Sequence, residues 1–163
     1  MEFLITNPVG VAKKSFSDED ESVGEAIATV YCDDERHWAI RYGGVEIQMY
    51  MRWVEDIYPD MVKMLERIKL GGKFNSSFLL NVLACKFEID PTGKMLRIKS
   101  KWLEAPTDEN LLALQALPLE NIFNKDEFVR ELTNFLQVIK NDLIDAGYGH
   151  YFNDKNPWGI VIP

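Results

Sequence analysis

At 163 residues, with 47% apolar and 27% charged side chains, the chain has the length and composition of one folded domain, residues 1–163, rather than of a disordered segment. A formal net charge of -8 argues against nucleic acid as the partner and for a basic protein. No apolar run approaches the ~20 residues of a membrane helix, and Met1-Glu2-Phe3-Leu4 lacks the basic and apolar regions of a secretion signal, so a cytoplasmic protein with no membrane partner is expected.

The charge is uneven along the chain. Glu2, Asp18, Glu19, Asp20, Glu21, Glu25, Asp33, Asp34 and Glu35 face only Lys13 and Lys14 in the first 35 residues. The run Asp18-Glu19-Asp20-Glu21 offers hard oxygen ligands, but a calcium loop counted from Asp18 would need Gly and Glu where Val23 and Thr29 stand. It reads instead as a solvated acidic loop, with Ser15 to Ser22 expected to be mobile; no metal or cofactor is implied. Ala26 to Cys32, rich in β-branched residues, reads as a strand, the alternative being a short helix from Glu21 to Ala28. The polar cluster Asp33-Asp34-Glu35-Arg36-His37 follows.

His37 to Tyr42 and Val45 to Met51 alternate apolar and polar residues around Gly43-Gly44, which predicts a tight hairpin. A two-residue turn sets Tyr42 opposite Val45, Ile40 opposite Ile47 and Trp38 opposite Met49 on one face. On the other face Arg41 meets Glu46, Ala39 meets Gln48 and His37 packs against Tyr50. An amphipathic helix is expected next, with Pro59 in its first turn, Ile57, Met61, Leu65 and Ile68 buried, and Gly71-Gly72 as its stop.

A second hairpin is predicted from Leu79 to Ile89 and from Lys94 to Trp102, with Asp90-Pro91-Thr92-Gly93 as a four-residue loop. That loop would pair Phe87 with Leu96, Cys85 with Ile98, Lys86 with Arg97 and Ala84 with Lys99. Arg97, Lys99 and Lys101 then share one side with Lys86, a basic row that could grip phosphates but reads as a solvated face or a match for the acidic segments. Thr107 to Leu117 reads as a short helix ended by Pro118. Asn124 and Glu127 form a capping-box signature ahead of the stripe Phe128, Leu132, Phe135, Ile139 and Leu143, with Gly147 as terminator. The aromatic, glycine-rich end from Gly147 is expected to fold back over the core or to offer interface anchors, and Trp158 to Ile162 to add a closing strand.

Strand pairs followed by single helices indicate an α+β fold: an antiparallel sheet built from two hairpins plus one or two further strands, covered on one face by two amphipathic helices. Cys32 and Cys85 are read as buried free thiols of a reducing compartment, in strands that offer nothing to activate them. His37 beside carboxylates is the one arrangement with the chemistry of a general base, which leaves a small hydrolase as an alternative function and a small-ligand-binding module as another.

The acidic stretch Asp18 to Glu21, the cluster Asp33-Asp34-Glu35 and the Trp- and Tyr-bearing hairpin Trp38 to Trp53 together resemble, in general character, the bacterial immunity proteins that neutralise polymorphic or contact-dependent toxins. The resemblance implies a non-enzymatic inhibitor whose carboxylates meet the basic active-site groove of a toxin, such as a nuclease domain, and block it. The contact residues so implied are Asp18, Asp20, Glu21, Asp33, Asp34 and Glu35, with Tyr50 or Trp53 as anchors.

Overall fold

The computed structural model describes residues 1–152, and the strand expected from Trp158 to Ile162 lies outside them. Elements run in the order β1 (Phe3–Thr6), α1 (Val23–Tyr31), β2 (His37–Tyr42), β3 (Val45–Tyr50), α2 (Val54–Leu70), β4 (Phe74–Leu79), β5 (Ala84–Thr92), β6 (Met95–Glu104), α3 (Asp108–Gln115), β7 (Glu120–Asn124) and α4 (Lys125–Ala146). The fold is α+β, and both hairpins form.

Each hairpin heads a sheet of its own, β1-β2-β3 and β4-β5-β6-β7, all pairs antiparallel, where one sheet was expected. The short helix α3 bridges the two. Its Asn110 side chain donates to the Glu46 carbonyl on β3 (3.0 Å), and Gln115 donates to the Trp102 carbonyl on β6 (3.2 Å). One short helix thus satisfies a backbone carbonyl of each sheet and ties the two together.

The first hairpin has the register its two-residue turn requires, from Tyr42↔Val45 to His37↔Tyr50, with both glycines at positive φ (58° and 90°). In the second, the turn is not the four residues from Asp90 but Gly93-Lys94, with Gly93 at φ 57° in the first central position, as a type II′ hairpin turn demands. Asp90, Pro91 and Thr92 therefore extend β5. Pro91 is tolerated because it lies beyond the last β4 pair, Phe74↔Ile89, where its missing N–H breaks no bond to that strand. The pairs become Ile89↔Ile98, Cys85↔Trp102 and Lys86↔Lys101. The slip is by an even number of residues, so every side chain keeps its expected face.

Ala26 to Cys32 is not a strand; it belongs to α1. The Ser22 hydroxyl caps the Glu25 N–H (3.2 Å), and the Glu25 carboxylate accepts the Glu21 N–H (2.7 Å). Val23, Ala26, Ile27, Val30 and Tyr31 then form one buried helical stripe, so capping and burial outweigh the β-branched composition. Pro59 lies inside α2 rather than in its first turn, because the helix begins at Val54; with no N–H, Pro59 makes no bond to the Glu55 carbonyl. The cap at Asn124, the buried stripe of α4 and the left-handed stop at Gly147 are as the sequence predicts.

A single cluster of buried side chains joins both sheets to α1, α2 and α4. Trp38 of β2 stacks on Phe135 of α4 with centroids 4.3 Å apart, and Tyr42 of the first sheet meets Trp102 (5.2 Å) and Phe123 (5.0 Å) of the second. Glu131, at the edge of this core, accepts the Ile5 N–H at 3.2 Å and so fixes β1 against α4. Because Phe135 is fully buried against Trp38, Phe135→Ala should lower unfolding free energy by about 3–5 kcal/mol in urea titrations. A loss under about 1 kcal/mol would show that this contact does not hold the sheet to the helix.

Candidate functional site

Of the nine acidic residues of the first 35, Glu2 lies 3.9 Å from Arg41 and Glu25 caps α1, and the other seven divide into three groups once the chain is folded. Asp34 is removed from the surface. It is 1% exposed, at the turn between α1 and β2, and its carboxylate takes the Arg36 guanidinium through Nε (2.9 Å) and Nη2 (2.7 Å) as well as the Arg36 N–H (2.9 Å). Arg36 spends its remaining donors on the Gly10 carbonyl (2.7 Å) and the Asp142 carboxylate of α4 (3.0 Å), which also accepts the Tyr31 hydroxyl (2.8 Å). Burial alone would lower the Arg36 pKa, but its bonds to Asp34 and Asp142 outweigh it and the net shift is upward. Burial, with the adjoining Asp142, pushes the Tyr31 phenol far up.

Asp33 and Glu35 form the second group. Both are exposed, and both are met from the N-terminal loop: Asp33 by Lys14 at 2.8 Å and Glu35 by Lys13 at 3.9 Å. The Lys14 hydrogen bond holds the Asp33 carboxyl below its ordinary range and raises Lys14 in turn. Such exposed pairs add little stability, but they cancel the charge a partner would feel. The six carboxylates named from the sequence therefore do not form one patch.

The third group surrounds the first turn of α1. Asp18, Glu19 and Glu21 are exposed, and among the described residues none has a cation within ion-pair distance. Asp20, half-buried, accepts the hydroxyls of Thr29 (3.1 Å) and Tyr148. Ser15 to Ser22, expected as a mobile loop, is tied down: the Phe16 N–H donates to the Ala146 carbonyl (2.8 Å) and the Ser17 N–H to the Tyr148 hydroxyl (3.0 Å). Gly147, at φ 115°, is required here twice over, because a Cβ would also lie 3.0 Å from the Phe16 Cβ.

Tyr148 itself is buried, so residues 148–152 fold back over the core, and the rest of the aromatic, glycine-rich end lies outside the described residues. The fold-back leaves two rings beside the acidic loop that sequence reasoning did not assign to it. Phe16, 39% exposed, packs on Tyr148 (4.9 Å) and on exposed His150 (5.6 Å). Nothing local in the sequence joins positions 16 and 150; only the return of α4 does.

Tyr50 and Trp53 are half-buried and form an edge-to-face pair (5.1 Å), with Arg52 over the Tyr50 ring at 4.5 Å and His37 on it at 4.1 Å. The ring contact of His37 is the one the hairpin register predicts. The Met51 N–H donates to the Arg36 carbonyl (2.9 Å), which hangs this aromatic group from the Asp34 network. The basic row on β6 is matched in part within its own sheet and not by the acidic N-terminal segments: Lys99 and Lys73 both reach Glu88 (3.2 Å each) and Arg97 reaches Glu120 (3.4 Å), while among the described residues Lys86 and Lys101 have no carboxylate within 4.0 Å. Cys32 is exposed at the end of α1, not buried in a strand, whereas Cys85 is buried in β5 and burial pushes its thiol well up. No helix among the described residues is long and apolar enough to cross a membrane.

No protein-family model matches the chain, and neither the curated proteins nor the solved structures include a match to it.

Two predictions follow from this geometry. Arg36→Ala strands the buried Asp34 carboxylate and should cost about 3 kcal/mol in urea denaturation, whereas Lys14→Ala, which unpairs only exposed Asp33, should leave the midpoint nearly unchanged. Equal effects would refute the division into a buried clamp and a surface pair. Burial and the Asp20 bond push the Tyr148 phenol up from 10.0 to about 12, and burial does the same for Tyr42. A raised folded-state pKa gives stability that is whole below pH 10.0 and is lost as pH rises through about 12, so denaturation midpoints should fall across that window and Tyr148→Phe should flatten the fall.

Proposed function

We propose that the protein is a non-enzymatic inhibitor of a basic protein partner, of the kind that bacterial immunity proteins provide against toxin domains, acting in a reducing compartment such as the cytoplasm. The observation that carries this reading is the set Asp18, Glu19 and Glu21, carboxylates left without cations while Asp33, Asp34 and Glu35 are compensated. The loop that bears them is held in place by backbone bonds from Phe16 and Ser17, so little ordering opposes binding. Exposed Phe16 and His150 supply apolar contact beside the charge. Unscreened carboxylates of this sort raise the rate of encounter with a basic groove and lose that advantage within a Debye length of about 8–10 Å as salt is added. The unpaired Cys32 and Cys85 agree with reducing surroundings.

Asp20 serves the fold through Tyr148, and Tyr50 and Trp53 carry Arg52 on their faces, so these three are secondary to the acidic loop in contacting a basic partner. The test is capture of the partner from the native cell, followed by association kinetics at rising salt with the wild type and with Asp18→Lys/Glu19→Lys/Glu21→Lys. The reading expects a basic partner that is toxic when expressed alone and is relieved by co-expression. Association should slow about tenfold or more in the triple variant and stay within about twofold in Asp33→Lys/Glu35→Lys. An acidic partner, or kinetics indifferent to salt and to the triple reversal, would sink it.

A further inference from the structure

The open face of the second sheet carries a second feature, independent of the acidic loop. Alternation along the strands buries Phe78, Cys85, Phe87, Ile98 and Trp102 and turns Ser77, Lys86, Glu88, Lys99 and Lys101 outward. Register then arranges the outward residues in rows. Glu88 stands between Lys99 and Lys73 and bonds both, and Arg97 is bonded to Glu120 of the neighbouring strand. The remaining row is Ser77↔Lys86↔Lys101, and it breaks the pattern. Two lysines lie directly opposite each other, and among the described residues neither has a carboxylate within 4.0 Å. Like charges directly opposed on adjacent strands repel, and the nearest carboxylate on this face, Glu88, is engaged by Lys99 and Lys73.

The pair lies in the wall of a concavity of about 540 Å³, with Asn75 and Ser77 of β4, the ion-paired Glu88 and Lys99, and exposed Leu119 on its other sides. That volume is in the range of small-molecule sites. The lining combines the unpaired cations Lys86 and Lys101, the Glu88 carboxylate already engaged by Lys99 (3.2 Å), hydroxyl and amide groups able to donate, and one apolar wall.

We propose that this face binds a small phosphate-bearing molecule, its phosphoryl oxygens held between the Lys86 and Lys101 ammonium groups with the Ser77 hydroxyl as a further donor. An anion at this point turns a repulsive pair into two charge-assisted hydrogen bonds. A small ligand is favoured over a nucleic-acid strand because the neighbouring cations Lys99, Lys73 and Arg97 are neutralised. A strand would need a continuous cationic track with aromatic rings for its bases, and the outward rows carry no ring.

The experiment titrates sodium pyrophosphate, adenosine monophosphate and a single-stranded oligonucleotide separately into the isotope-labelled protein at low salt, following the amide signals of Ser77, Lys86 and Lys101. Saturable shifts centred on these residues are expected with pyrophosphate and the monophosphate. Lys86→Gln/Lys101→Gln should weaken binding about tenfold or more, and Arg97→Gln, whose cation is paired with Glu120 outside the concavity, by no more than about twofold. The double variant should be at least as stable as the wild type, because it removes the repulsion, so loss of binding is separable from loss of fold. The proposal is overturned by shifts that do not saturate, by an equal loss in Arg97→Gln, or by binding of the oligonucleotide alone. None of these outcomes bears on the acidic loop.

Discussion

The Arg36 guanidinium holds together segments that share no secondary structure. Asp34 at the end of α1, the Gly10 carbonyl of the N-terminal loop and Asp142 near the end of α4 are all bonded to it. A planar fork with fixed donor directions can do this, where a lysine could offer only a point charge. Its burial demands full pairing, because an unpartnered carboxylate at the position of Asp34 would bear the whole cost of desolvation. The clamp also sets the electrostatic surface. By anchoring the loop at Gly10 it brings Lys13 and Lys14 to Glu35 and Asp33, and so cancels the acidic cluster that looks most exposed in the sequence.

Legibility followed the range of the interaction. The first hairpin, the Asn124 cap and the Gly147 stop depend on residues within a few positions of one another, and each was readable from the chain. Where two local signals compete, the weaker-looking one can win. In α1 a single Ser22 cap with Glu25 outweighs a β-branched run, because the helix buries its whole apolar stripe against α2 and α4 while a strand there would have no partner. In the second hairpin Pro91 resembles a turn residue, yet the shortness of β4 leaves that position unpaired on one side and frees the proline to stay in the strand. The split into two sheets was beyond local reading altogether, since which strands become neighbours is decided by contacts between segments far apart in the chain, such as the bonds by which Asn110 and Gln115 tie α3 to one strand of each sheet.

The site was legible in its residue types and not in its grouping. Asp18 and Glu21 keep the exposure that their sequence context suggests, but Asp34 could be separated from Asp33 and Glu35 only by knowing that α4 delivers Asp142 to the same guanidinium. Phe16 and His150 meet for the same reason, as α4 returns the chain end to the acidic loop.

Charge compensation in this fold is local, and that explains why both signs survive on its surface. Glu88 and Glu120 satisfy the cations adjacent to them in register, and Lys13 and Lys14 satisfy the carboxylates their loop can reach. Among the charges that no neighbour reaches are three carboxylates before α1, and two lysines that a turn at Gly93-Lys94 places opposite each other. Moving that turn back to the four residues from Asp90 would pair Lys86 with Arg97 and Lys99 with Ala84, so the twin-lysine row is a product of where one glycine takes positive φ. Both residual charges therefore follow from backbone decisions made far from any composition-level bias. A net charge of -8 neither forbids a local anion site nor locates the acidic one.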